Sequence, residues 1–171
     1  MFKKILFLSI FIFNYAFALV ENQKPQILII NSYHKGFQWS DELINGVEKT
    51  LGNKSNAETT VLYMDSKRIN SVEYYDTLKD LYKLQLKNRK YDLVLLVDKF
   101  AYEFALTNYN DLFTDERLVF SGIEIFNPSL VKSFGLEDKI SGILERRAID
   151  DIFSTIDTMM PNLKKLHVIN D

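Results

Sequence analysis

The chain has 171 residues, which allows one domain of ordinary size. Its 21 Lys and Arg residues against 23 Asp and Glu residues give a net charge of −2, which excludes the basic surface of a nucleic-acid-binding protein. The absence of cysteine excludes disulfides, thiolate metal sites and cysteine nucleophiles, and the two histidines argue against a histidine-ligated zinc site. We therefore expect a globular domain without cofactor or metal, whose site is built from oxygen, amide and aromatic groups.

The first 18 residues have the three-part pattern of a secretory signal peptide. Lys3 and Lys4 precede an apolar run over residues 5–13, and residues 16–18 form an Ala-Phe-Ala cleavage site. The run is shorter than the roughly 20 residues of a membrane-spanning helix. An uncleaved anchor and an ordinary buried helix are the alternatives. We expect cleavage after Ala18, a short tail over residues 19–25, and export to the bacterial periplasm as a protein that is not a lipoprotein, because no cysteine is present.

Strands and helices alternate along the rest of the chain. Apolar runs predict buried strands over residues 27–30, 59–64, 93–97, 118–120, 140–144 and 166–169. Helical spacing predicts helices that begin at Ser40, at Ser71, after Asp98 and at Ile149; Gly52 ends the first and Pro161 the last. This alternation predicts a doubly wound α/β fold with a mostly parallel sheet and helices on both faces.

The loops that follow the strands carry the candidate ligand-binding residues, because ligands of open parallel sheets bind beyond the carboxyl ends of the strands. The candidates are Ser32, Tyr33, His34, Trp39, Asp65, Lys67, Asp98, Ser121, Glu124 and Glu145.

The first of these loops is rich in aromatic residues, with Tyr33, His34, Phe37 and Trp39 within seven residues. Exposed rings could stack on a planar ligand or cover a cleft. The alternative is that Phe37 and Trp39 fold back on the following helix and join the core. Ser32 and the free N–H groups of that helix could hold a carboxylate.

Each charged candidate near the middle of the chain also has a structural interpretation. Asp65 with Lys67 and Arg68 can form either a solvated ion pair or a binding fork. Asp98 can cap the helix that follows it or bind a ligand. His167 falls within the last predicted strand, where we expect it to pack in the core.

Motifs of familiar enzymes are missing. No GxGxxG follows the first strand, and the chain contains no phosphate-binding loop and no GxSxG nucleophile elbow. Glu124 and Glu145 each follow a strand, but nothing supports a paired-carboxylate hydrolase. The alternative function is a secreted α/β enzyme, which would place an acid–base pair such as His34 and Glu124 within about 3–4 Å or one water. We expect a protein that is not an enzyme.

Residues 31–42, with the sequence NSYHKGFQWSDE, resemble the start of a bacterial family of ABC-transporter substrate-binding proteins with a type 1 periplasmic-binding fold. Residues 63–68, 92–98, 119–123, 141–145 and 160–171 resemble later segments of the same family in the same order. The resemblance therefore covers residues 26–171. Related domains also serve as extracytoplasmic sensors of histidine kinases and diguanylate cyclases.

The resemblance implies a flavodoxin-like strand order and a two-lobed clamshell that closes on its ligand. Residues 26–163 correspond to the N-terminal lobe and residues 164–171 to the start of a truncated second lobe, so we expect a fragment or a truncated gene. It also implies a small-solute-binding protein or sensor module that feeds an ABC permease or a membrane kinase or cyclase. The expected ligand is a small organic solute, amino-acid-like or aromatic, and the expected contacts are led by Ser32, Tyr33 and Asp98. Because one lobe lacks the opposite wall, we expect the chain alone to bind weakly or not at all.

Overall fold

A computed structural model of the chain describes residues 24–146 and 148–168. The predicted signal peptide and residues 169–171 lie outside these ranges. Five strands are present, namely β1 (Gln26–Asn31), β2 (Glu58–Tyr63), β3 (Leu93–Val97), β4 (Arg117–Ile123) and β5 (Ile140–Leu144). The helices are α1 (Gln38–Ser55), α2 (Val72–Leu86), α3 (Lys99–Thr107), α4 (Tyr109–Leu112), α5 (Pro128–Ser133) and α6 (Ile149–Met159).

The five strands form one sheet in the order β2-β1-β3-β4-β5, and every pairing is parallel. This is the flavodoxin-like order, so the predicted doubly wound α/β fold is confirmed. The chain runs from β1 to β2 on one side and then returns to β3 on the other side of β1. The strand order therefore reverses between β1 and β3, which makes their carboxyl ends the switch point of the sheet.

Two apolar cores cover the two faces of the sheet. Successive strand side chains point to opposite faces, so Leu28 and Ile30 enter one core while Ile27 and Ile29 enter the other. The larger core is closed by apolar residues of α2, α3, α4 and α5. The smaller core is closed by α1 through Ile44. These layers hold the carboxyl edge of the sheet in a fixed arrangement on which a site can be built.

The first two helices show how far local signals determine helix ends. Ser71 caps α2 as predicted, because its hydroxyl accepts a hydrogen bond from the Tyr74 N–H at 3.2 Å. The prediction that α1 begins at Ser40 is wrong by two residues, since Ser40 is buried inside the first turn. Gly52 does not end α1 either. The helix continues to Ser55, and Asn56 ends it in the left-handed region with φ 51°.

The last part of the chain forms a helix with no buried side chain. The helix predicted from Ile149 is confirmed as α6, and apolar residues such as Ile152 and Met159 lie exposed on it. The predicted strand over residues 166–169 is wrong for residues 166–168, which pair with no described strand and so leave their backbone groups to solvent. His167 is exposed and does not pack in a core. Among the described residues, no helix is both long and apolar enough to cross a membrane.

Candidate functional site

The carboxyl ends of β1, β3 and β4 lie side by side at the switch point. Asn31 is level with Val97, and Val97 is level with Ser121. The residues that follow β1 and β3, Ser32 and Asp98, are therefore neighbours although they are far apart in sequence. Ligands of doubly wound folds bind at this position.

Ser32 joins three elements at this edge. It is fully buried, and its hydroxyl donates a hydrogen bond to the Val97 carbonyl at 2.9 Å. The same oxygen accepts a hydrogen bond at 2.8 Å from the N–H of Ala101, in the first turn of α3. Asp98 occupies the N-cap position of α3, as predicted, but the capping hydroxyl comes from Ser32. Ligand contact by Ser32 stays a prediction, and in this structure its hydroxyl is occupied within the protein.

Sequence reasoning missed a set of small buried polar residues around Ser32. The Asn31 side-chain amide donates a hydrogen bond to the Ser40 hydroxyl at 3.0 Å, and this bond ties β1 to the start of α1. The Ser66 hydroxyl donates a hydrogen bond to the Ser32 carbonyl at 2.5 Å, and this bond ties the loop after β2 to the loop after β1. The sequence signal for this set is a polar residue directly after an apolar strand. The neighbouring strands bury such a residue, so it needs a hydrogen-bond partner inside the protein.

Asp98 has an unusual backbone. Its φ of 72° and ψ of 169° lie in a region that is essentially reserved for glycine, and such strain costs about 1–3 kcal/mol. The Asp98 N–H donates a hydrogen bond to the Ser121 carbonyl at 2.8 Å, which fixes the residue to β4. A residue other than glycine at this position therefore lowers the stability of the fold.

Burial raises the pKa of the Asp98 carboxyl above its ordinary value. Nearby polar groups, namely the Lys99 N–H and the Ser32 and Tyr33 hydroxyls, together with the charge of Lys67, lower the pKa but do not offset the burial. The carboxylate is therefore held in a partly dry environment in which a further donor or a positive charge would stabilise it.

This pKa shift predicts a pH-dependent effect of Asp98→Asn. The folded chain holds the Asp98 proton more tightly than the unfolded chain, so wild-type stability falls as pH rises from about 4 through the raised pKa. The asparagine variant lacks this loss. We therefore expect urea unfolding to show the variant gaining stability relative to wild type between pH 4 and pH 7. A stability difference that stays constant over this range would contradict the prediction.

Three aromatic rings cluster between the loop after β1 and the start of α1. Tyr33 stacks on Phe37 with ring centroids 4.2 Å apart and planes 5° apart, and it meets Trp39 edge-on at 5.8 Å. Trp39 belongs to neither core and is 38% exposed, and its indole ring lies against Gly122. Lys67 places its Nζ 5.7 Å from the centre of the Tyr33 ring. The alternative interpretation, that Trp39 joins the core, is therefore wrong, because the ring rests on the backbone of Gly122 at the edge of the sheet. Ligand contact by Trp39 stays a prediction.

A charged cluster lies in the loop after β2. Asp65 accepts a hydrogen bond from the Arg68 Nε at 2.7 Å, and the His34 Nδ1 lies 3.6 Å from the same carboxylate oxygen. Asp65 and Arg68 thus form the local ion pair that was one of the two interpretations. Lys67 does not take part in this pair and instead approaches the Tyr33 ring.

A cleft of about 520 Å³ opens next to Asp98, between the start of α3 and the loop that follows β4. Its lining includes Asp98, Tyr102, Glu103, Gly122, Glu124 and Ile125. The structure thus brings the predicted residues Asp98 and Glu124 into one cavity. His34 is not among the described residues that line it.

The remaining candidates lie around this cleft. Ser121 is partly buried in β4, where its carbonyl holds the Asp98 backbone. Glu145 is exposed after β5, and its N–H donates a hydrogen bond to the Ile123 carbonyl at 2.8 Å.

Tyr102 and Glu103 were missed, because the apolar spacing of α3 predicts packing only. The signal for Tyr102 was its position four residues after Asp98, one helical turn along the same face.

No group of three His, Asp or Glu side chains in the described ranges converges on a point where a metal ion could bind. No known protein family, curated protein or solved structure matches this chain.

Proposed function

We propose that this chain is a non-catalytic, extracytoplasmic module that binds a small organic solute, as one lobe of a solute-binding or sensor protein. The observation that carries this proposal is Asp98. Its carboxylate is desolvated, its backbone is strained, and it opens into a cleft at the carboxyl ends of β3 and β4, next to the switch point of the sheet. Strain and burial that lower stability are commonly retained at binding sites.

The size and lining of the cleft support a ligand of low molecular weight. Its volume of about 520 Å³ lies within the range of about 300–1,000 Å³ that is typical of small-molecule sites. Trp39 provides an exposed ring next to Gly122, and Ile125 is 83% exposed at the cleft. A planar or aromatic part of a ligand could lie against these apolar groups while polar groups meet Asp98.

The proposed mechanism follows from the position of the cleft on one face of one lobe. Solute binds at the carboxyl ends of β3 and β4, and a second lobe closes over it and excludes water. Closure then presents a new surface to a membrane partner, either an ABC permease or a kinase or cyclase module. Periplasmic location is part of this proposal. It rests on residues 1–18, which lie outside the described ranges.

The proposal is tested by titrating the purified chain with L-phenylalanine. Trp39 is the only tryptophan of the sequence and its ring lies against Gly122, which lines the cleft, so its fluorescence can follow ligand binding there. We expect a saturable change with a dissociation constant on the order of 1 mM, equivalent to about −4 kcal/mol, because a single lobe buries only one side of the ligand.

Two variants make the titration specific. Asp98→Gly removes the carboxylate at a position whose backbone suits glycine, so the variant should fold and lose the response. Asp138→Asn removes an exposed carboxylate that does not line the cleft and should respond like wild type. Because the cleft is present in the chain alone, the proposal requires weak binding rather than none, and a flat titration or an equal response in Asp98→Gly would overturn it.

A further inference from the structure

We infer that the ligand of this cleft carries a positively charged amine, which binds between the Asp98 carboxylate and the Tyr102 hydroxyl. This inference rests on the proposed function and adds to it the chemical class of the ligand.

The charges that line the cleft favour a cation. Asp98 and Glu103 bring two carboxylates to its walls, and Lys99 is the one basic residue among the described lining residues. The Lys99 Nζ lies 3.7 Å from a Glu103 carboxylate oxygen, so its charge is directed toward an acid of the same helix. A cleft with an excess of one charge concentrates ligands of the opposite sign.

The start of α3 is poorly suited to an anion, because acceptors of the chain itself already lie at its first N–H groups. The first N–H groups of a helix bind anions only when they are free. Here the Ala101 N–H donates to the Ser32 hydroxyl, and the Lys99 N–H lies close to the Asp98 carboxylate and lowers its pKa. A ligand carboxylate or phosphate would therefore compete with Asp98 for the same donor and meet its negative charge at short range.

The buried hydroxyl of Tyr102 is a second, independent observation that favours a polar group on the ligand. The residue is 4% exposed and lines the cleft, and its hydroxyl has no hydrogen-bond partner among the described residues. A buried polar group without a partner costs about 1–3 kcal/mol. An ammonium group can donate one hydrogen bond to the Tyr102 oxygen and another to the Asp98 carboxylate. The buried hydroxyl then has a hydrogen-bond partner, and the desolvated carboxylate has a positive charge beside it.

The charge class is tested with two probes of similar size and opposite charge. The full chain is titrated with 2-phenylethylammonium and with 3-phenylpropionate at equal ionic strength, and binding is followed by Trp39 fluorescence and backbone amide shifts. We expect the ammonium probe to bind at least tenfold more tightly. Asp98→Asn should reduce its affinity about tenfold, and added salt should weaken it further.

Tyr102→Phe tests the second contact against a matched control. Tyr82 is also buried with a hydroxyl that lacks a partner in the described part of the chain, but it does not line the cleft. Both phenylalanine variants should keep or increase stability toward urea. Only Tyr102→Phe should weaken binding of 2-phenylethylammonium, by about threefold to tenfold. Equal binding by the two variants would overturn the Tyr102 contact.

The outcomes separate the two proposals. Binding of 3-phenylpropionate that equals or exceeds that of 2-phenylethylammonium would overturn the cationic ligand and leave the solute-binding function standing. A response to L-phenylalanine without one to 2-phenylethylammonium would do the same. No response to any of the three compounds would overturn both.

Discussion

Replacing Ser32 with alanine is expected to lower the free energy of unfolding by about 2–3 kcal/mol. The change deletes the hydroxyl that accepts from the Ala101 N–H and donates to the Val97 carbonyl, both in the interior. The Val97 carbonyl keeps its bond from the Ser32 N–H at 3.1 Å, but the Ala101 N–H loses its capping partner. A buried donor without a partner costs about 1–3 kcal/mol, and loss of a helix cap typically costs about 1 kcal/mol.

Urea unfolding measures this loss, and Ser133→Ala is the matched control. Ser133 also donates a side-chain hydrogen bond to a backbone carbonyl, that of Leu130, but Ser133 itself is exposed. We expect the control to change stability by less than about 0.5 kcal/mol. Faster hydrogen exchange at Ala101 should accompany the loss in Ser32→Ala. If the two variants were equally stable, Ser32 would not be the cap of α3.

Gly122→Ala is expected to destabilise the fold by about 2–3 kcal/mol and to change the fluorescence of Trp39. Gly122 has a φ of 79°, where a side chain costs roughly 1–2 kcal/mol. A β-carbon at this position would also lie 2.6 Å from Cη2 of Trp39. The indole ring must therefore move away from the rim of the cleft, or the backbone of β4 must shift.

Gly135→Ala separates these two costs. Its φ of 68° is similar, but a β-carbon there would meet no atom within 4 Å. We expect Gly135→Ala to show the backbone cost alone and to leave Trp39 fluorescence unchanged. In a double-mutant cycle, Trp39→Leu should recover the additional loss of Gly122→Ala. Equal losses at the two glycines would mean that Trp39 does not press on Gly122.

Much of the sheet could be predicted because apolar runs determine buried strands. The bounds of β3 and β5 match the prediction, since each run is bounded by polar residues, but β5 at the edge of the sheet is mostly exposed and not buried as predicted. The prediction for β4 stopped at Phe120, whereas the strand continues to Ile123. Ser121 and Gly122 are small residues that do not indicate a strand. Ser121 nevertheless pairs with Val97 of β3, while the pairing of β4 with β5 is irregular between Phe120 and Ile123. Pairing with a neighbour, rather than local composition, extends this strand.

The candidate site could be predicted only where the rule for parallel sheets applies. That rule selected Asp98 and Glu124, which line the same cleft. It could not distinguish Ser32 as a buried cap from Ser32 as a ligand contact, because its partner Ala101 lies 69 residues away. The positive φ of Asp98 has no local signal, since neighbouring strands and the hydrogen bond to Ser121 impose it.

The bond between Ser32 and Ala101 also has a consequence for the order of assembly. It joins two residues that are 69 apart in sequence, with α1, β2, α2 and β3 between them, and bringing the ends of so long a segment together has an entropic cost. During synthesis, β1 leaves the ribosome long before β3 and α3 exist. The first turn of α3 is therefore capped only after β3 has been made and has docked on β1. The rim of the cleft therefore forms late in folding, after the central strands have paired in the correct order.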